Sequence, residues 1–267
     1  MKIARLLFIL FACLGAVAPF KAVLADQAGD RGMDAFFDMV AADYQYHYSK
    51  EKLQQLGIAI GVSGIMANTD IDSKFRERYQ DDFRSDRSDN IADVFTKIGD
   101  ASQMIYSVPL YLGSMWLGDY MNETSAGPWL EAWGARSLRT LIIGAPQQFV
   151  LTNFLGSSRP TEGDSDWDLF NDDNAVSGHA FYGAVPFLTA AGLTRNTVAK
   201  YTLYALSVFP GLARINDDKH YLSQVFLGWS LAYMAVDSVE KGSANRKKSV
   251  AVYPAYNGVM VAFRMEL

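Results

Sequence analysis

From Ala101 to Gly118, and again from Thr140 to Ser158, the chain carries no charged side chain. Segments this long and uncharged must be buried against other apolar surface or placed in lipid. Both contain polar or helix-breaking residues: Gln103, Ser107 and Pro109 in the first, and Pro146, Gln147, Gln148 and Asn153 in the second. Mean hydropathy is near zero, while 50% of residues are apolar, enough for a sizeable core. The expectation is an all-α helical bundle in which both segments are buried helices. Membrane-spanning helices are the second reading.

The first 25 residues read as a secretory signal. Lys2 and Arg5 precede an apolar run from Leu6 to Phe20, and Val23-Leu24-Ala25 forms a small-residue cleavage site. This places the mature protein in the periplasm; an uncleaved anchor is the alternative. Cys13, the sole cysteine, falls inside that apolar run, so the mature chain would have neither a disulfide nor a thiol. Removing Lys2, Arg5 and Lys21, with no acid lost, takes the formal net charge from −5 to −8. So acidic a protein does not suit a nucleic acid partner.

Apolar spacing predicts a helix over Met33–Tyr48, with His47 as a surface or packing residue, and a glycine-containing helix over Leu53–Met66. The densely charged Asp72–Arg87 reads as a solvated helical face. Ser88-Asp89-Asn90 offers caps for a helix bearing Ile91, Val94, Phe95 and Ile98. Pro160–Val176 is a long acidic loop, and loops of such length are often functional. Ser177 opens a helix whose apolar body is Phe181–Leu193. Arg195–Leu212 reads as helix interrupted at Pro210-Gly211, and Asp217–Val236 as the last long helix. Beyond a linker at Lys241–Lys248, Asn257-Gly258 between V-A-V-Y-P and V-M-V-A-F signals a β-hairpin. The expected domains are thus the signal (1–25), a helical domain (26–240), and a linker with a hairpin (241–267).

Three fragments carry chemistry: S-R-P at Ser158–Pro160, S-G-H at Ser177–His179, and R-I-N-D-D-K-H-Y-L-S-Q at Arg214–Gln224. Arg159 and Arg214 can form guanidinium forks around an oxyanion. Ser177 and Gly178 open a helix, where amides point at anions and glycine lets the backbone approach closely. His179 falls in that first turn. His220 supplies an imidazole nucleophile, with Gln224 four residues on along the same expected helical face.

In order and spacing these fragments resemble the phosphatidic acid phosphatase type 2 / haloperoxidase superfamily. Its pattern is a lysine, six residues and R-P, then P-S-G-H, then S-R-five-H-three-D. The resemblance covers roughly Thr140–Val236, and D-V-F-T-K-I-G-D at Asp93–Asp100 looks like the helix preceding the core in secreted members. It implies a helical bundle with a phosphate pocket between helices, lined by Arg159, Arg214, Ser177, Gly178 and His179. It further implies that His220 becomes a phosphohistidine, that His179 protonates the leaving alcohol, and that no metal or other cofactor is needed.

The chain departs from that pattern at four positions. Thr152 stands where the family has lysine and is the expected phosphate contact at that position; Val176 stands where it has proline, and Ala213 where it has serine. Gln224 replaces the aspartate that orients the histidine; it is the third expected catalytic residue, its amide oxygen accepting the imidazole N–H without a negative charge. Loss of such an acid from a serine triad costs on the order of 10⁴ in rate. Asp217 and Asp218, where the last helix is expected to begin, read as caps. The leading expectation is a metal-independent phosphatase acting on a phosphate monoester, a small molecule or a lipid, with membrane contact through the apolar helices. The alternative is an impaired pseudoenzyme that binds a phosphorylated headgroup. A vanadate-dependent haloperoxidase is the weakest reading, because the lysine is absent.

Overall fold

Leu222–Arg246 and Gly178–Leu193 are the two helices on which most of the others pack. The computed structural model describes residues 36–246 and the strand residues 250–255 and 258–263, with side chains to residue 242. The expected signal, Cys13, and Asn257 of the expected turn lie outside the described residues. Chain contacts divide the molecule into two units, Met1–Ala42 and Asp43–Leu267. Of the first, 36–42 are described and are helical, and the helix (α1) ends at 47.

In the second unit follow α2 (Lys50–Ala67), α3 (Ile71–Arg78) with a π turn over Tyr79–Phe83, and α4 (Asp86–Ala101). Then come α5 (Met104–Tyr120), α6 (Gly127–Leu155), α7 (Gly178–Leu193), α8 (Thr197–Leu206), α9 (Phe209–Asn216) and α10 (Leu222–Arg246). The described residues before 247 thus form an all-α class of structure. Val250–Ala255 pairs antiparallel with Gly258–Phe263, Val250 opposite Phe263 and Ala255 opposite Gly258.

The core is built where α6, α7, α9 and α10 meet. Ile143 packs with Ala235 and Val239, and Ala180 with Ile215 and Val225. Small residues set the approach: a Cβ at Gly228 would lie 2.5 Å from the Ser177 carbonyl oxygen. The absence of a side chain there lets α10 lie directly against the start of α7. Gly156, at φ +61°, turns the chain out of α6 into the loop that carries Arg159.

Several elements differ from the sequence reading. The cap of α4 is Ser85, in a reciprocal pair with Ser88, because its hydroxyl reaches the third amide of the helix. The break between α8 and α9 falls at Ser207-Val208. Pro210 sits in the first turn of α9, where a missing N–H costs nothing. Asp217–Tyr221 is a turn rather than helix, and α10 runs through the expected linker to Arg246.

α5 is only half buried. Ile105, Tyr106, Leu110, Trp116 and Tyr120 are exposed on it, so lack of charge here does not mean burial on all sides. Among the described residues, no helix is long and apolar enough to cross a membrane. His47 is buried, bonded to Ser238 Oγ and Gln147 Oε1 at 3.1 Å each, and burial pushes its pKa down.

Charge in Asp72–Arg87 is not all solvated. Asp72 is fully buried, and its carboxylate accepts from the backbone N–H (3.0 Å) and the hydroxyl of Ser223 in the first turn of α10. Burial pushes its pKa up, against these hydrogen bonds. A carboxylate at a helix start answers both the unpaired amides and the dipole. Asp72→Ala should therefore destabilise the protein by about 2–3 kcal/mol, read as a lowered urea midpoint, because it orphans two buried donors. An unchanged midpoint would show that this cap contributes nothing.

Candidate functional site

The turn between α9 and α10 is held from outside by α3, the π turn and α4. Arg76 forks onto Asp218 with both bonds at 2.6 Å, fixing a residue whose φ is +54°. Gln80 Nε2 donates to Ile215 O at 2.9 Å, and Asn216 Nδ2 to Asp89 at 2.6 Å. Thr96 Oγ1 donates to Asp217 at 2.9 Å, while Arg214 reaches the same carboxylate oxygen at 3.3 Å. Both aspartates are thus committed to the frame of the turn. They neither orient His220 nor cap the start of a helix.

His220 precedes α10 instead of lying on it, yet Gln224 in the first turn of α10 reaches back to it. Gln224 Oε1 lies 2.8 Å from His220 Nδ1 and accepts from Tyr221 N–H at 3.1 Å. Gln224 Nε2 donates to Ser158 O at 2.8 Å and to Ser157 Oγ at 2.9 Å. A backbone N–H can only donate and a backbone carbonyl can only accept, so the amide orientation is settled by its neighbours. His220 Nδ1 must then carry the proton, and the neutral ring keeps its lone pair on Nε2. Gln224 is fully buried and ties the S-R-P loop to the histidine turn.

The electrostatics agree with a neutral ring. Burial pushes the His220 pKa down to about 3; Gln224 opposes this, while the charges of Arg214 and Arg159 and the nearby His179 add to it. The hydrogen bonds of Gln224 to His220, to Ser157 and Ser158, and from Ser177 N–H bring the three fragments together. His179 Nε2 lies 2.8 Å from Asp100 Oδ1, and its pKa is lowered by burial first, with Asp100 pulling up and Arg214 and Arg159 pushing down. The Arg214 guanidinium is largely buried, and its Nε–H has no partner. A buried cationic donor without an acceptor is costly and points to an anion that completes it. Arg159 is exposed and donates through Nε to Asn174 Oδ1 at 2.9 Å.

Two of the expected phosphate contacts are used otherwise. Ser177 N–H donates to Gln224 O at 3.0 Å, and its hydroxyl caps α7 by accepting from Ala180 N–H at 3.4 Å. Thr152 Oγ1 accepts from Gln148 Nε2 at 2.9 Å and donates to Val176 O at 3.3 Å, bracing the residue before the S-G-H. Both hold the loop, and the Ser177 hydroxyl, which accepts from Ala180, keeps its own proton to donate. Gly178 and His179 remain at the first two positions of α7, where helix amides have no partner within the helix. Trp133 donates to Pro186 O and Phe181 is fully buried, so both serve the core.

Asp100 and Ser157 contact the site through His179 and Gln224, and residue spacing did not single them out. Asp100 closes a helix recognised on other grounds, and no periodicity marks it as a histidine partner. Comparison with protein-family models, curated proteins and solved structures returned no match. Among the described residues no group of acids and histidines is arranged to hold a metal.

Two predictions follow from the amide bridge. Gln224→Glu would set a carboxylate oxygen against the Ser158 carbonyl, and Gln224→Asp is one methylene too short to span both sides. Each should lose about 2–4 kcal/mol in chemical denaturation, with no gain in any activity; a Glu variant as stable as wild type would refute the bridge. The folded pKa of His220 lies near 3 against an ordinary 6.5. The unfolded chain therefore binds a proton that the folded one refuses, so this group's contribution is intact above 6.5 and is lost as pH falls below it. His220→Asn should flatten the loss of stability on acidification, measured by urea unfolding at a series of pH values.

Proposed function

We propose that the site hydrolyses a phosphate monoester through a phosphohistidine on His220. The observation that carries this reading is the pairing of a histidine whose free lone pair is fixed on Nε2 with a buried arginine Nε–H lacking an acceptor. A phosphoryl group satisfies both: its oxygens accept from Arg214 and Arg159 and from the amides at the start of α7, and its phosphorus meets the nucleophile. The likeness of the three fragments to the phosphatidic acid phosphatase type 2 / haloperoxidase pattern supports the same assignment.

His220 Nε2 attacks phosphorus, the P–O bond to the alcohol breaks, and His179 as imidazolium gives its proton to the departing oxygen. Neutral His179 then takes a proton from water as that water attacks the phosphohistidine, releasing phosphate and restoring both rings. Gln224 holds Nδ1–H throughout. It accepts more strongly as the ring gains positive charge, though without the full charge of an aspartate. The paired departures at Thr152 and Gln224 remove one positive and one negative charge, leaving the balance around the anion unchanged. This reading retains the helical-bundle type and the exported, metal-independent phosphatase expected from the sequence.

The pH dependence has a definite sign. His220 stays deprotonated down to about 3, so the nucleophile is available in acid. His179 must be protonated and its pKa is lowered, so turnover falls as pH rises through a value below the ordinary 6.5. An acidic optimum is expected for phosphate release from para-nitrophenyl phosphate. Rapid quench into base, which preserves phosphohistidine, should place label on the peptide containing His220, and Arg214→Ala should reduce turnover by about 10²–10³-fold. Folded protein that binds phosphate but releases none at any pH would replace this reading with that of a non-hydrolysing binder, to which the lysine missing at Thr152 and the acid missing at Gln224 also lend themselves.

A further inference from the structure

The C-terminal turn of α4 meets the first turn of α7 at two successive residues. A Cβ on Gly99 would lie 2.7 Å from His179 Cδ2, so the imidazole rests on the bare backbone of that helix. Asp100, the next residue, places its carboxylate 2.8 Å from His179 Nε2. The ring is about one-fifth exposed, and the carboxylate faces solvent. Packing on one side and an ion pair at one nitrogen leave the ring a single orientation and a single open nitrogen.

We propose that Gly99 and Asp100 form a seat that holds His179 by its Nε2–H, so that Nδ1 is the nitrogen that exchanges protons with substrate and water. The inference rests on the phosphatase reading of the site and adds a positioning residue to it. In the first half-reaction the imidazolium gives its Nδ1 proton to the alcohol oxygen as the ester bond breaks, and Nε2–H stays on Asp100. In the second, the Nδ1 lone pair takes a proton from the attacking water, and the imidazolium is restored. Asp100 remains a carboxylate throughout and stabilises the charged ring at both ends of the cycle.

Four charged or titratable groups act around this ring: Asp100 from α4, Arg214 from α9, Arg159 from the loop after α6, and His220 from the turn before α10. The two arginines oppose protonation and Asp100 favours it, so removing the carboxylate leaves only the opposing charges. The acid form of His179 should then vanish at lower pH, and the basic limb of the rate profile should move toward acid.

Asp100→Asn tests this with two substrates and one spectroscopic reading. An alkyl phosphate needs its leaving oxygen protonated far more than para-nitrophenyl phosphate does. The variant should therefore lose about tenfold more kcat/KM on hexyl phosphate than on the nitrophenyl ester. Asp100→Glu should restore part of the difference. Because the chain has three histidines, ¹⁵N-histidine NMR of the whole protein can follow each ring, and the His179 titration should move to lower pH in Asp100→Asn. Equal losses on both esters with an unmoved His179 titration would overturn the seat while leaving the phosphatase reading intact. Wild type that turns over neither ester would overturn that reading, and the seat's catalytic role with it.

Discussion

The side-chain amide of Gln224 is the joint on which the site depends. Its oxygen faces a histidine and a backbone amide; its nitrogen faces a serine hydroxyl and a backbone carbonyl. A carboxylate can offer only acceptors, so it could not fill all four positions. Only a carboxamide at this length joins a protonated Nδ1 on one side to a carbonyl on the other. That requirement explains why glutamine is suited to the place where related-looking patterns carry aspartate. It orients the imidazole and closes the loop in one group, without the negative charge an aspartate would set beside His220.

Around that joint the polar network is arranged so that few charges are left to solvent alone. Asp72 answers the start of α10, Arg76 holds Asp218, and Thr96 and Arg214 share Asp217. Networks of this kind hold a single arrangement when complete, because each missing partner would leave a buried group unpaired. An exception is the Arg214 Nε–H. Other buried polar atoms without a partner among the described residues, such as Thr189 Oγ1, carry no positive charge; Arg214 Nε–H is the cationic donor among them, and it suits the proposed anion.

Much of this was legible in the chain. The fragments around Arg159, His179, Arg214 and His220 were recognisable by residue type and spacing as a set of donors, and the structure brings these fragments together through Gln224. The helical class was legible from periodicity and from the two uncharged segments. What escaped had physical reasons. One buried acid among many charges, Asp72, looks like its solvated neighbours until α10 is placed over it. The exposed face of α5 looks buried because absence of charge does not reveal which side faces the core. Ser177 and Thr152 have hydroxyls that fit an anion equally well, and only geometry shows that one caps α7 and the other donates to the Val176 carbonyl. Asp100 had no pattern of its own.

The central claim is that Arg214, His179 and His220 surround a phosphate-sized anion. Isothermal calorimetry with inorganic phosphate, run alongside ¹⁵N-histidine spectra of the intact protein, tests it most directly. One saturable site is expected, with both the His179 and His220 resonances moving at the same occupancy, and with affinity lost in Arg214→Ala while the fold persists. Absence of binding, or binding that neither disturbs these two rings nor depends on Arg214, would contradict the account.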